Sequence, residues 1–151
     1  MVHNRTMQSL DGVRVLDLSR VLAGPWCTQI LADLGADVVK VERPGVGDDT
    51  RGWGPPFLQD AQGKDSAESA YFLGANRNKR SIALDLRTAA GKEVLRRMIR
   101  EADVLVQNYR PGVMEKLGLG YELHLTSGLN VGLFTDMREH RRALAQDGCA
   151  R

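Results

Sequence analysis

The sequence contains nothing approaching the roughly 18 consecutive apolar residues that a membrane-crossing helix needs, and its opening, MVHNRTMQSL, has no apolar centre of the kind a secretory signal requires. Neither a membrane partner nor export is expected, and the cytoplasm is the expected compartment. Cysteine is scarce. Cys27 and Cys149 stand far apart, in neither a zinc-ligand spacing nor a CxxC pair, and are read as reduced thiols. The three histidines, His3, His124 and His140, fall in the least patterned parts of the chain. There is no Ser-His-Asp arrangement, no metal-ligand spacing and no P-loop, so no metal is expected. Net charge is lacking too: 21 basic against 19 acidic residues leave +2, too balanced for nucleic acid to be the partner of the whole chain. Any anion site has to be local.

What is present suits a soluble globular domain with a real core: 151 residues, 42% hydrophobic and 26% charged. VRVLDL (13–18) reads as a buried strand. GPWCTQILADLG follows as a helix, with Pro25 in its first turn and Gly35 as its stop, and DVVKVE (37–42) as a second strand, which together make a βαβ unit. Residues 43–70 read as one long surface excursion, Gly/Pro-rich and then polar at QDAQGKDSAESA, whose second half is mobile or mediates contacts. RSIALDL (80–86) returns as a strand. Thr88 can cap the helix AAGKEVLRRMIREA, whose apolar stripe is Val94, Leu95, Met98 and Ile99, and DVLVQ (103–107) closes a second strand-helix-strand unit. The expected fold is therefore α/β, a doubly wound, Rossmann-like parallel sheet with helices on both faces.

In such a sheet ligands sit beyond the carboxyl ends of the strands. SRVLAGP, ERPGVGD, DLR and NYRPG all fall on that rim. A dinucleotide is the first suspicion, because Glu42 ends the second strand where an acidic residue would meet a ribose. The first turn, however, has one glycine where GxGxxG needs three. Another phosphate-bearing ligand fits better: Arg43, Arg51, Lys79, Arg80, Arg87 and Arg110 all flank strand ends, and guanidinium groups suit phosphate. In NYRPGVMEKLG, Asn108 offers an amide, Tyr109 a flat ring, Arg110 a charge, and Pro111–Gly112 a turn into a short helix. Trp26 and Trp53 read as packing residues. Asp17 and Asp85 lie in strands near the rim, where turn-capping and backbone hydrogen bonding are their ordinary roles.

LDGVRVLDLSRVLAGPWCTQILADLGADVVKVERPGVGDDTRGWGPP, NRNKRSIALDLRTAAGKEVL and ADVLVQNYRPGVMEKLGLGYE closely resemble the opening of class III CoA-transferases, nearly continuously from about Leu10 to Glu122. The resemblance implies that the rim holds coenzyme A as co-substrate. By position the contacts would be Leu22 and Ala23 in the first turn, Arg43 after the second strand, Leu84, Asp85, Leu86 and Arg87 after the third, and Asn108, Tyr109, Arg110 and Lys116. Arg87 and Lys116 exchange basic types with some family members. It also implies acyl-CoA and carboxylic acid substrates, an interlocked homodimer, and an aspartate nucleophile that forms an acyl anhydride and releases the CoA thiolate.

The family places that aspartate well beyond GLGYE, and LHLTSGLNVGLFTDMREHRRALAQDGCAR departs from the family pattern, with Asp136 and Asp147 outside any nucleophile context. The expectation is a truncated form with an incomplete sheet: residues 1–9 disordered, 10–122 the CoA-binding part, 123–151 a divergent tail, and no turnover by the chain alone. Two other readings stand beside it, a fragment of an α-methylacyl-CoA racemase-like enzyme and a non-catalytic CoA-binding or oligomer-interaction fragment.

Overall fold

A computed structural model describes residues 7–119. Six strands and four helices run in the order β1 (Arg14–Asp17), α1 (Ala23–Asp33), β2 (Asp37–Glu42), β3 (Phe57–Gln59), β4 (Asp65–Ser69), α2 (Ala70–Asn76), β5 (Arg80–Ala83), α3 (Ala89–Glu101), β6 (Val104–Val106) and α4 (Val113–Lys116), with a 3₁₀ turn at Asp49–Gly52. The chain divides into two units, residues 1–108 and 109–151.

The first unit is built on a four-stranded sheet of order β5-β2-β1-β6 with every pairing parallel. Right-handed crossovers then fix the layers. The steps from β1 to β2 and from β2 to β5 run the same way along the sheet and place α1 and α2 on one face, where the two helices pack together. The return from β5 to β6 carries α3 to the other face. The expected doubly wound sheet is the fold observed.

Alternation along the strands gives the two faces different characters. Val15 and Val38, paired in register, meet Ala32 and Ala36 in a buried cluster flanked by Leu10, Val13, Leu31 and Val106. Two residues further along, the same face carries Asp17 and Lys40, again paired, and then Glu42, all buried. The α1 face is thus apolar at its amino end and charged at its carboxyl end.

On the opposite face α3 begins at Thr88, whose hydroxyl accepts from the Gly91 N–H at 3.0 Å. Leu95 is its buried apolar anchor, while Val94 is exposed and Met98 and Ile99 are half-buried. The stripe seals the sheet incompletely because a cleft of about 650 Å³, lined in part by Leu16, Val39, Val94 and Met98, separates the helix from the strands.

Residues 43–70 are more ordered than their composition suggests. Glu42 and Glu68 hold Arg51, which also lies 3.7 Å over the Phe72 ring. β3 and β4 form an antiparallel hairpin whose turn is organised by Asp60: its carboxylate accepts from the Gln62 and Lys64 N–H groups, each at 2.9 Å. Ser69 then caps α2, accepting from the Phe72 N–H at 3.0 Å. Trp26 and Trp53, read as packing residues, are half exposed, Trp26 on the outer face of α1 and Trp53 edge-on to Tyr71 at 5.3 Å. Ile30 and Leu34 continue the exposed face of α1 at four-residue spacing. Among the described residues no helix is long and apolar enough to cross a membrane.

Candidate functional site

Because the strands are parallel, β1, β2, β5 and β6 deliver their following loops to one edge of the sheet. β1 connects away toward β2, and β6 arrives on its other side, so the loops after β1 and β6 diverge at the switch point of the strand order, where doubly wound sheets open a crevice. Asn108 ties these two loops together. Its side-chain oxygen accepts from the Arg20 N–H at 2.9 Å, and its amide nitrogen donates to the Arg20 carbonyl at 2.8 Å.

Beneath the turn after β1 lies a buried polar layer. The Asp17 carboxylate accepts from the Ser19 N–H at 2.8 Å, from the Ser19 hydroxyl, from Thr28 Oγ1 at 2.6 Å and from Lys79 Nζ at 3.1 Å. Lys79 also donates to the Pro25 carbonyl and the Asn76 side-chain oxygen. Burial is the main influence on this ammonium and brings its pKa down to about 8, against the attraction of Asp17. Lys40 Nζ donates to the Ser19 carbonyl at 2.7 Å and sits 3.0 Å from Asp48 Oδ2. Burial alone would raise the Asp48 pKa, but the Thr50 N–H and the Lys40 ammonium together outweigh it and hold the group below its ordinary value.

The turn above this layer is unusual. Val21 has φ +73°, in the left-handed region where a β-branched side chain is a genuine outlier. Helix α1 then starts at Ala23 with no side-chain cap on Leu22, so its first amides carry the partial positive charge of an open helix N-terminus. Gly24 is needed here: a Cβ would stand 2.2 Å from that of buried Ser19.

The residues expected to contact a ligand fall as follows. Leu22, Ala23, Arg43 and Asn108 are exposed at loops following β1, β2 and β6, and Leu84, Asp85 and Leu86 are half-buried in the loop following β5. The Arg43 guanidinium rests on Asp49, which also takes Arg20 at 2.6 Å. Arg87 is exposed and held by Asp85 through two contacts of 2.8 Å; those hydrogen bonds keep the Asp85 carboxyl at about 2, so the pair stays ionised at neutral pH. Tyr109, Arg110 and Lys116 belong to the second unit. There Gly112, at φ +83°, turns the chain into α4, and Arg110 and Lys116 are exposed while Tyr109 is half-buried.

Three of the six basic residues assigned to one rim have other roles. Arg80, the first residue of β5, pairs with Asp37 at the first residue of β2, and Lys79, just before the strand, is buried beneath α1 in the layer that holds Asp17. Arg51 is committed to Glu42 and Glu68. Glu42 itself accepts from Arg51, Ser81 Oγ and the Asp48 N–H, so the acidic group that suggested a ribose contact is consumed internally. Sequence reasoning missed the opposite set: Lys40 and Asp48 read as a strand residue and a loop residue, and only their burial reveals them. Among the described residues no group of three or more His, Cys, Asp or Glu is placed to hold a metal ion.

Residues 10–126 match the profile of CoA-transferase family III. Among curated proteins, the chain is 53% identical over 117 residues to the succinyl-CoA:glutarate CoA-transferase of Mus musculus and 54% identical over 115 residues to the formyl-CoA:oxalate CoA-transferase of Rhodopseudomonas palustris. These alignments cover 78% and 76% of this chain and 25% of each relative. A crystal structure of a CAIB/BAIF family protein from Brucella suis superposes with a TM-score of 0.70 at 52% identity, over 77% of this chain and 30% of that one. The chain thus spans about a quarter of the length of the curated relatives it matches.

Proposed function

Because the chain belongs to CoA-transferase family III, we propose that its first unit supplies the coenzyme A-binding rim of an enzyme that moves CoA from an acyl-CoA to a carboxylic acid. The observation that carries this reading is positional. The contacts inherited from the family, Leu22 and Ala23, Arg43, Leu84 to Arg87, and Asn108, follow the carboxyl ends of four different parallel strands, the edge at which doubly wound sheets take their ligands.

The residues present fit such a molecule. The uncapped start of α1 offers backbone N–H donors and a positive dipole end to an anionic group. Arg43 and Arg87 offer guanidinium groups, each oriented by one carboxylate, Asp49 and Asp85, and still half or more exposed. An arginine held in this way loses less freedom when a phosphate arrives than one that must first be ordered. The thiol of CoA carries the acyl group when bound. The side chains described here bind and orient that carrier.

The acid that attacks the acyl group is assigned to none of these residues. Asp17 is fully buried and saturated by Lys79, Thr28 and Ser19, and Asp85 is occupied by Arg87.

Titration of the purified chain with CoA, with NAD as control, tests the reading through the thermal unfolding midpoint. A ligand stabilises only the state it binds, by about 2.7 kcal/mol at a hundredfold excess over Kd. A saturable rise with CoA and none with NAD is expected. Equal response to both, or to neither, refutes the assignment.

A further inference from the structure

We propose that Lys40, Asp48 and Asn108 form a clamp that positions the turn between β1 and α1, and that Asp48 is its decisive member. The inference rests on the CoA-binding reading above and gives that site its positioning residues.

Four successive backbone groups around Arg20 are gripped from outside the turn. The Ser19 carbonyl accepts from Lys40 Nζ at 2.7 Å, and the Arg20 N–H and carbonyl are bonded by the Asn108 amide at 2.9 and 2.8 Å. The Val21 N–H faces both oxygens of Asp48, at 3.4 and 3.3 Å. The grips come from three separate segments: β2, the loop after β2, and the loop after β6. Both peptide groups flanking Arg20 are therefore fixed in orientation, and the next residue is the left-handed Val21.

A β-branched residue persists in that region only when its surroundings over-determine it. Here the surroundings are two buried ions: the Lys40 side chain is 2% exposed and that of Asp48 0%. Asp48 is additionally fixed by the Thr50 N–H at 3.1 Å and the Thr50 hydroxyl at 2.9 Å. A buried ion pair contributes little net stability compared with an apolar pair of the same shape. Its value here is directional: the cation holds a carbonyl and the anion an N–H on either side of one residue. Leu22 and Ala23, with the open amides of α1, follow directly from Val21, so the clamp sets where those groups point. The position of Asp48 also couples the first ligand loop to the second, since adjacent Asp49 holds Arg43.

The test is a double-mutant cycle between positions 48 and 21, read by CoA affinity and by backbone amide exchange. Asp48→Asn is expected to weaken CoA binding by about tenfold or more, and to speed exchange of the Arg20 to Ala23 amides while the β1 and β2 amides keep their protection. Val21→Gly removes the strain that the clamp opposes, so in that background Asp48→Asn is expected to cost several-fold less; such coupling is the mark of two residues acting through one turn. If Asp48→Asn compromises folding by leaving Lys40 unpaired, Lys40→Met/Asp48→Asn removes both charges together and is read the same way.

Equal affinity losses in the two Val21 backgrounds would overturn the proposal, and so would unchanged exchange of the turn amides. If the wild-type chain does not bind CoA, the functional reading fails, but the exchange measurement decides the clamp independently.

Discussion

The Glu42→Gln substitution probes how the loop after β2 is held. Glu42 has a side chain 4% exposed. Its Oε2 accepts from Arg51 Nε at 2.8 Å and the Asp48 N–H at 2.9 Å, and its Oε1 from Arg51 Nη2 at 2.7 Å and Ser81 Oγ at 2.5 Å. Glutamine keeps the shape but replaces one oxygen with a donor. Turned toward Oε1, the new NH₂ can be accommodated by rotation of the Ser81 hydroxyl, but it faces an Arg51 N–H that has no lone pair. Breaking a buried pair from one side costs about 3–5 kcal/mol. Arg51 keeps Glu68 and is 22% exposed, so the lower end applies, about 3 kcal/mol. At about 4–8 °C per kcal/mol for a domain near this size, the unfolding midpoint should fall by about 12–24 °C. Circular dichroism melts and urea titration measure it.

The acid limb supplies a second readout of the same substitution. Burial, the largest influence on Glu42, would raise its pKa, but the Arg51 and Ser81 hydrogen bonds, the Asp48 N–H and the Arg51 charge together bring it below 4.5. The unfolded chain therefore binds more protons between the folded value and 4.5, so this stability is fully present above that range and is lost as pH falls through the folded pKa. The wild-type chain should lose stability there, and the Gln variant should lose less. A cost below about 1 kcal/mol, the value of an exposed pair, with an unchanged acid limb, would refute the argument.

Two further substitutions address the buried layer and the loop after β5. Lys79 has a folded pKa lowered to about 8 from 10.5, so between those values the unfolded chain binds more protons and stability rises with pH; unfolding midpoints from pH 7.5 to 10.5 should rise more for wild type than for Lys79→Met, and parallel curves would contradict the assigned shift. Gly91→Ala should gain about 1 kcal/mol in an ordinary helix, but here a Cβ would stand 2.1 Å from the Asp85 carbonyl oxygen. The expected result is a loss of about 1–3 kcal/mol from overpacking together with weaker CoA binding through displacement of residues 84–87, checked by urea titration and calorimetry; a stabilised variant with normal affinity would show that the loop yields freely.

The four strands of the parallel sheet and the helices α1 and α3 were legible because their signals are local: apolar runs bounded by Gly35, by Thr88 and by the polar loops. The rim followed from the parallel order, and with it the positions of Arg43, Arg87 and Asn108. What the sequence concealed depends on partners distant along the chain. DSAES is a poor strand by composition and becomes β4 through pairing with β3. α2 carries only a lone Ser69 cap as its announcement. Arg80 looked like a rim cation because composition does not say which end of a strand its flanking charge will join, and Lys79 because its burial on Asp17 is set only by the fold. Lys40 and Asp48 gave no signal, since burial of a charge is a property of the assembled sheet.

These hidden residues explain why the α1 face changes from apolar to charged along its length. A sheet seeking only stability would continue Val15 and Val38 with further apolar side chains, since buried ion pairs gain little over them. At positions 17, 40 and 42 the register instead sets carboxylates and an ammonium side by side under the carboxyl edge of the sheet. Their hydrogen bonds run to the backbone of the turn at Ser19 and of the loop at Asp48, which an apolar layer could support but not orient. Stability and affinity should therefore separate at Lys40 and Asp48, where removing both charges together can leave the fold intact while freeing the turn. They should fall together at Glu42, whose partner Arg51 also binds the excursion between β2 and β5 to the sheet through Glu68 and Phe72.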